Sequence, residues 1–434
     1  MRRLLLIGAL TALALPAPAF AHATLQSTTP HFGHELVNSP PLIRLHFDQR
    51  VKILPGAIEV LNTHGRNFAG PARTSGTDVI ASVKKLPTGA YTVRWRAISA
   101  DSHVVSGVWT FGVRVPAPSV NDAYGAGGPT VAEHLVRWVW FLSLAFAIGV
   151  LGLRLICLRG VPVQRALDRR LAVAAGIGVV VSLQAGIAAF SLRAEDALQL
   201  PFGRFLYGDL TPMAVTRFGR AFIVMTLGFA LVLALIYLAW LLDRTVFLVP
   251  AFVLSLLFVS GFSLSGHDAV DPGSSWKSEL ADWVHISAAS LWVGGLGALV
   301  ALVWYGAPDL RRVAFRRFSQ LATVSIALVL AAGIYLSIVR LPHLRDLWTV
   351  GYGRVLLVKI GLVLGVLLWG GFHKFVVAPA LERSNSAGFL TRIGRSLAGE
   401  SLLGAAVLLA AAILTDSRPP AQPVKAPSAA AARR

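Results

Sequence analysis

The sequence has very few sulfur ligands. Its 434 residues include one cysteine, Cys157, and three methionines, Met1, Met213 and Met225. A single cysteine excludes an intrachain disulfide and a thiolate cluster for a soft metal ion. Cys157 closes a long apolar run, so we interpret it as a small buried apolar side chain.

The chain also lacks a Walker A sequence, the glycine-rich loop with a Lys–Ser/Thr pair that binds phosphates. ATP hydrolysis by this chain is therefore not expected. Acidic residues are scarce, since 21 Asp and Glu against 40 Lys and Arg give a formal net charge of +19. Much of the positive charge lies in short segments between apolar runs. That pattern sets topology in membrane proteins, so we do not expect nucleic-acid binding.

Apolar residues are abundant and unevenly distributed. They make up 55% of the chain, and the mean hydropathy is +0.65, which is too apolar for an ordinary soluble protein. The long apolar runs begin near residue 131. We predict a signal peptide at 1–21, a soluble domain at 22–115, a flexible linker at 116–130, a membrane domain at 131–416 and a disordered tail at 417–434.

The N-terminus has the features of a secretory signal. Arg2 and Arg3 precede an apolar run, and Ala19 and Ala21 form a small-residue cleavage pattern. Cleavage after Ala21 would make His22 the first residue of the mature chain, with an α-amino and an imidazole nitrogen available. Both are good donors for Cu(II), which favours nitrogen and oxygen ligands. The alternative interpretation is that the residue after the cleavage site is arbitrary.

The soluble domain is predicted to be all β. Alternating or β-branched segments are IRLHFDQRV, GAIEVLN, YTVRWRAIS and SGVWTFGV. Turn signals such as NSPP, THGRN and LPTGA separate them. Several short strands at this spacing favour a compact β-sandwich or barrel.

A second candidate ligand group lies in SADSHVVSG, where Asp101 and His103 are two residues apart. On a strand, this spacing puts both side chains on one face. Together with His22 they would suit Cu(II); the alternative is a surface turn with a hydrogen-bonded histidine. The domain holds four further histidines: His31, His34, His46 and His64. They could form a second site, but we interpret them as surface or hydrogen-bonded side chains.

These features resemble the CopC family of periplasmic copper-binding domains. The segments that carry the resemblance are TTPHFGHEL, LHFDQRV and YTVRWRAISADSHVVSGVWTFGV. The resemblance implies a cupredoxin-like β-sandwich that holds Cu(II) through His22, Asp101 and His103. Some members also have a Met-rich Cu(I) site. Residues 22–115 contain no Met, so we expect a domain that binds Cu(II) only.

The membrane domain is predicted to be an all-α bundle of eight transmembrane helices. The apolar runs cover residues 131–153, 171–192, 218–241, 246–265, 281–304, 319–339, 354–373 and 396–415. Fourteen Lys and Arg residues fall in one set of loops and eight in the other, which favours both termini on the outer side, as the signal peptide requires. We therefore expect a protein of the bacterial inner membrane with its N-terminal domain in the periplasm.

Ionisable residues near or inside these runs are candidates for function because burying them in a membrane is costly. His267 lies at the outer end of the fourth run, just past its last residue, and Asp282 and His285 lie about one turn apart on the fifth. We predict that His267 and His285 form a metal site near the outer face. The alternative is that such residues only cap helices and meet headgroups, and we interpret His134 at the start of the first run in that way.

Three ionisable residues lie toward the predicted cytoplasmic side. His373 and Lys374 end the seventh run, and we interpret them as interfacial side chains, with a metal-exit site as the alternative. Glu400 lies early in the eighth run. It is expected either to pair with Arg395 or Lys359 or to contact a passing ion.

The membrane part resembles the CopD family of copper-resistance membrane proteins. The segments that carry the resemblance are SGHDA, DWVHISAASLWVGGL, RRFSQLATVSIALVLAAGIYLS, TVGYGRVLLVKIGLVL and APALER. CopC–CopD fusions are a known arrangement, and the resemblance implies copper movement across the inner membrane.

We therefore expect a copper importer or copper-homeostasis and resistance protein, and not an enzyme. Its expected partners are the copper ion, the lipid bilayer and periplasmic copper donor proteins, with no nucleic acid. Two alternatives stay open. One is a haem-linked redox membrane protein that uses paired histidines as axial ligands, and the other is a copper buffer that transports nothing.

Overall fold

The computed structural model describes residues 25–98, 104–118, 130–198, 217–265, 275–383 and 386–417. Its contacts divide the chain into two compact units, one β and one helical. The predicted signal peptide, most of the predicted linker and nearly all of the predicted tail lie outside the described residues.

The N-terminal unit is a sandwich of two four-stranded sheets. Its strands are β1 Leu25–Thr29, β2 Glu35–Leu36, β3 Leu42–Phe47, β4 Lys52–Asn62, β5 Ala69–Ser75, β6 Asp78–Val83, β7 Gly89–Ile98 and β8 Val104–Val113. The strand orders are β1-β3-β6-β5 and β2-β8-β7-β4. The prediction of an all-β N-terminal sandwich is confirmed.

Alternating side chains build the core between the sheets. Along β3, every second residue is buried, and Ile43, Leu45 and Phe47 are at most 1% exposed. Phe47 packs edge-on against Trp95 of the other sheet, with ring centroids 5.4 Å apart. Such aromatic pairs contribute roughly 0.5–1.5 kcal/mol beyond the area they bury. The core therefore fixes one sheet against the other.

Tyr91 of β7 also belongs to this core. Its ring stacks on Phe111, and its hydroxyl donates to the Pro87 carbonyl at 2.8 Å. Burial raises the pKa of Tyr91 because the charged phenolate would lose its hydration.

The C-terminal unit contains, within the described residues, eight helices long and apolar enough to cross a membrane. They are α1 Val131–Cys157, α2 Arg165–Leu192, α3 Ala221–Leu241, α4 Thr245–Ser263, α5 Trp276–Trp304, α6 Pro308–Arg340, α7 Gly351–Arg383 and α8 Ala387–Thr415. The predicted number of spanning helices is confirmed. Several helices extend beyond the predicted apolar runs, and α7 continues ten residues past His373.

Helices α1 and α5 cross with their backbones in contact. A Cβ at Gly294 would overlap the Ala145 carbonyl, and a Cβ at Gly149 would overlap the backbone of Gly294. Glycine at both positions lets the two backbones touch. Leu151 and Cys157 of α1 are buried nearby, which agrees with Cys157 as a small apolar core residue.

At the predicted cytoplasmic ends of the helices, arginine side chains bond to groups on neighbouring parts of the bundle. Arg154 of α1 holds Asp168 of α2 through two contacts, at 2.5 and 3.2 Å. Arg317 of α6 donates to the carbonyls of Cys157 and Arg159, at 3.2 and 2.6 Å. These contacts tie α2 and α6 to the end of α1.

Candidate metal sites

The three predicted ligands of the soluble domain, His22, Asp101 and His103, lie outside the described residues. The structure does describe the strands from which their segments leave. Strand β1 begins at Leu25, three residues after His22. Strand β7 ends at Ile98 and β8 begins at Val104, and these two residues pair with each other.

The strand pairing brings these departure points to one end of the sandwich. Leu25 pairs with Phe47 at the end of β3. Shortly after it, β4 begins at Lys52, which pairs with Ile98, and Ile98 pairs with Val104. The start of β1 and the β7–β8 connection therefore lie at the same end of the domain.

The additional histidines of this domain are exposed. His46 Nδ1 lies 2.6 Å from Asp78 Oδ1, and His64 Nδ1 lies 3.3 Å from Thr63 Oγ1. The rings of His31 and His34 pack edge-to-face. Their interpretation as surface or hydrogen-bonded residues is confirmed. Among all described residues, no three His, Cys, Asp or Glu side chains form a group that could hold a metal ion.

In the membrane domain, His285 of α5 faces α6. Its Nδ1 lies 3.0 Å from the Val329 carbonyl oxygen. A carbonyl only accepts hydrogen bonds, so Nδ1 carries the hydrogen and a neutral imidazole keeps the lone pair on Nε2. A Cβ at Gly333 would lie 3.2 Å from His285 Cε1, so glycine leaves room for the ring. Histidines that bind metals commonly donate their other N–H to a carbonyl in this way.

Two charged residues accompany His285. Asp282 lies one turn earlier on the same helix. Lys359 of α7 interacts electrostatically with both Asp282 and His285. Asp282 and His285 of α5 and Lys359 of α7 are therefore within electrostatic range of one another. Lys359 lies about 21 Å along α7 from His373, so it belongs to this group and is no partner for Glu400.

His267 lies outside the described residues, but the packing of α5 bears on its proposed pairing with His285. Trp283 Nε1 donates to the Leu256 carbonyl of α4 at 2.7 Å. His285 is two residues further on, about 200° around the helix. The contacts therefore put α4 against the Trp283 face and α6 against the His285 face. The His267–His285 pair stays a prediction that these contacts do not directly support.

A second polar group, which the sequence reasoning missed, joins α7 to α8. His373 and Glu400 are 3% and 5% exposed, and His373 Nδ1 lies 2.5 Å from Glu400 Oε2. His373 Nε2 lies 2.8 Å from Ser396 Oγ, which also accepts from Trp369 Nε1 at 3.0 Å. The interpretation of His373 as an interfacial side chain is wrong, because the imidazole is buried against its carboxylate partner.

Lys374, the other residue placed at this end, is exposed and donates to Thr323 Oγ1 of α6 at 2.8 Å. Its interfacial interpretation agrees with the structure. The partnership of His373 with Glu400 had one usable signal in the sequence. His373 ends the seventh predicted apolar run and Glu400 lies four residues into the eighth, hence at similar depths in an antiparallel pair.

A soluble β-sandwich followed by eight apolar helices defines a multi-pass membrane protein with an N-terminal domain. Three family models match the chain: CopC domain over residues 25–114, Copper resistance protein D-like, N-terminal domain over residues 129–277, and Copper resistance protein D over residues 312–414. The chain belongs to this copper-resistance family, with CopC and CopD domains in one polypeptide.

Named relatives cover one or both domains. Copper transport protein CutJ of Bacillus subtilis is 27% identical over 440 residues, which are 95% of this chain and 77% of the relative. Copper resistance protein C of Pseudomonas syringae pv. tomato is 36% identical over 108 residues, 23% of this chain and 85% of the relative. The crystal structure of CopC from Methylosinus trichosporium OB3b is 27% identical and covers 21% of this chain and 93% of that one, with a TM-score of 0.20.

Some of the candidate residues fall inside the ranges that the family models match, and others fall outside them. Asp101 and His103 fall inside the CopC range, and Lys359, His373 and Glu400 fall inside the final CopD range. His285 lies between the two membrane-domain ranges, outside both. The interpretation of His285 as a metal ligand therefore depends on the contacts of its own imidazole.

Proposed function

We propose that this protein binds Cu(II) on the outer side of the bacterial inner membrane and imports copper through its helical domain. The observation that carries the transport part is His285, an imidazole inside the bundle whose Nδ1–H is held by a backbone carbonyl. The family assignment supports copper as the ion.

In the soluble domain, His22, Asp101 and His103 are the proposed ligands. Their segments leave the sandwich at one end, as the pairing of Leu25, Ile98 and Val104 requires. Two imidazoles, an amine and a carboxylate form a nitrogen and oxygen set that suits Cu(II). Residues 22–118 contain neither Met nor Cys, so the soft ligands that Cu(I) prefers are missing from this domain.

In the membrane domain, copper binds to Nε2 of His285, with Asp282 supplying negative charge one turn away. A cation in a bilayer needs such compensation because desolvation is expensive. Lys359 of α7 interacts electrostatically with Asp282. The ion arrives from the periplasmic domain, which receives it from the solution or from donor proteins.

The contacts of His373 speak against a haem-linked function that would use it as an axial ligand. Its Nδ1 is held by Glu400 and its Nε2 by Ser396. Both ring nitrogens are thus engaged, so His373 offers no lone pair to a haem iron. A Soret absorption band in the purified protein would contradict the proposal.

Sealed proteoliposomes with an internal copper indicator test the import function. Vesicles with the full chain should accumulate copper well above protein-free vesicles. Vesicles with a chain that lacks residues 22–118 should need more external copper to reach the same rate, because the capture site is missing. A full chain that binds copper without any uptake would contradict import and leave a copper buffer.

A further inference from the structure

The pair formed by His373 and Glu400 is an ionisable group enclosed by apolar helices. Both side chains are almost fully buried, and 2.5 Å separates Nδ1 from Oε2. A hydrogen bond this short between an imidazole and a carboxylate is charge-assisted and holds its hydrogen tightly. Burying such groups is costly, and an apolar pair would join α7 to α8 without that cost. A purely structural role therefore does not account for the pair.

The hydrogen bonds around the pair accommodate either charge state of the imidazole. The indole N–H of Trp369 only donates, so Ser396 Oγ accepts from it. The Ser396 hydroxyl can still donate to a bare His373 Nε2, and it can equally accept from Nε2–H. Adding or removing one proton therefore requires only rotation of a hydroxyl group.

The backbone around the pair makes space for these side chains. A Cβ at Gly370 would lie 3.0 Å from Glu400 Oε1, and a Cβ at Gly399 would lie 2.8 Å from the Trp369 ring. His373 also begins a π-helical segment, His373–Val377. Such segments occur often at functional sites.

A proton fits this pair better than a metal ion. The 2.5 Å separation leaves no room for an ion between Nδ1 and Oε2, and Ser396 occupies the other imidazole nitrogen. Metal sites in proteins usually have at least three protein ligands. No third His, Cys, Asp or Glu joins this pair in the described part of the chain.

The helices that pack around the pair carry other charged groups. They are Glu133, His134, Arg137 and Arg154 on α1; Asp309, Arg311, Arg312, Arg316, Arg317 and Arg340 on α6; Arg354, Lys359, Lys374, Glu382 and Arg383 on α7; and Arg392 and Arg395 on α8. The α5 segment that contacts α8, residues 290–304, has no charged residue.

The nearest of these groups in sequence have their own surroundings. Lys374 is bound to Thr323, and Arg395 is exposed. Trp138 of α1 donates to the Ala405 carbonyl, so Arg137 and the residues before it lie further toward the predicted outer side than Glu400. Arg154 is held by Asp168. Among the described residues of α7 and α8, His373 and Glu400 are the buried ionisable side chains.

We propose that His373 and Glu400 form a proton-binding site through which a proton moves inward together with copper. This inference rests on the proposed copper import and identifies the second ion that drives it. The proton enters the pair from the outer side and leaves to water on the predicted cytoplasmic side. No other chemical group is changed, so the cycle returns the pair to its starting state.

The test uses proteoliposomes with a fluorescent pH indicator inside and the membrane potential clamped by potassium and valinomycin. Copper uptake by the native protein should acidify the interior. Glu400→Gln should reduce the acidification at least tenfold per copper taken up, because the carboxylate is missing. Glu382→Gln, which removes an exposed carboxylate on α7, is the matched control and should behave as the native protein.

Three results would overturn the inference: copper uptake without acidification, copper uptake with alkalinisation, or native acidification in Glu400→Gln. Infrared difference spectra of the full chain in lipid provide a readout that does not need transport. A pH-dependent carboxyl signal that Glu400→Gln abolishes supports the proton site, and its absence in the native protein rejects the site. If the signal is present but copper does not enter, the import proposal fails and coupling fails with it, while the proton site stands.

Discussion

The two domains of this chain hold their candidate functional residues in opposite ways. In the β domain, His22, Asp101 and His103 belong to segments outside the described strands, and the sandwich fixes where these segments begin and end. In the membrane domain, His285, His373 and Glu400 lie inside helices, and a residue of the neighbouring helix fixes each imidazole.

This difference shows where a sequence pattern alone is sufficient to predict which residues come together. A local pattern such as Asp-x-His brings two ligands together by covalent connection alone. Ligands on separate helices meet only when helix rotation and depth are correct, which depends on packing along the whole bundle. The two domains should therefore respond to substitution independently, and the following experiments test that expectation.

The largest effect is expected for His285→Ala. Removing the imidazole should abolish copper accumulation in cells, because the proposed ligand beside Asp282 is lost. The protein should still insert in the membrane, and its soluble domain should still bind Cu(II). Copper content is compared at equal membrane levels with His134→Ala as the control. If His285→Ala accumulates as much copper as the native protein, the proposed membrane site is contradicted, while the proposed site of the soluble domain is not.

In the soluble domain, His103→Ala or Asp101→Ala should weaken Cu(II) binding by about one to two orders of magnitude, the scale for losing groups of a ligand shell. Titration against a competing chelator measures the affinity. His64→Ala, which removes an exposed histidine bonded to Thr63, should leave it unchanged. An equal loss in both variants would show that the site lies elsewhere.

A smaller effect is expected from extending the N-terminus. N-terminal sequencing of the mature protein should begin HATLQ. One glycine added before His22 should weaken Cu(II) binding about tenfold, because the amine moves away from the imidazole. If the extended protein binds copper as tightly as the native one, the amine is not a ligand.

The smallest effect concerns the core of the β domain. Tyr91→Phe removes the hydrogen bond to Pro87 and should cost about 1 kcal/mol, or roughly 4–8 °C in the midpoint of thermal unfolding. Because burial raises the pKa of Tyr91, the native domain should lose stability as the pH rises above about 10, the unperturbed value. Tyr91→Phe should lose less over that range, as circular dichroism of the isolated domain would show.

Much of the fold could be predicted from the sequence. Eight helices follow from long apolar runs, and the alternation in segments such as β3 and β7 predicts strands. Strands β1, β2, β5 and β6 lie outside the predicted segments. The sequence of β5, AGPARTS, lacks alternating apolar residues. The helix ends were also less predictable, because the first turns of α6 and α8 contain arginines, such as Arg311 and Arg392, that an apolar run does not include.

The membrane sites were less predictable. Asp282 and His285 share a helix, so their proximity follows from spacing alone. The partners of His285 on α6 and of His373 on α8 depend on which face each helix presents. Trp283 and His285 are only two residues apart, yet they contact α4 and α6 respectively. Hydropathy predicts how deep such residues lie in the membrane, but it does not predict how each helix is rotated about its own axis.

The crossing of α1 and α5 has a consequence for how the bundle can work. Glycines at 149 and 294 bring two backbones into direct contact, so a displacement of one helix past the other would drive carbonyls into each other. Sliding of α1 past α5 is therefore sterically opposed. If the bundle exposes His285 first to one side of the bilayer and then to the other, other helices would move while α1 and α5 stay together.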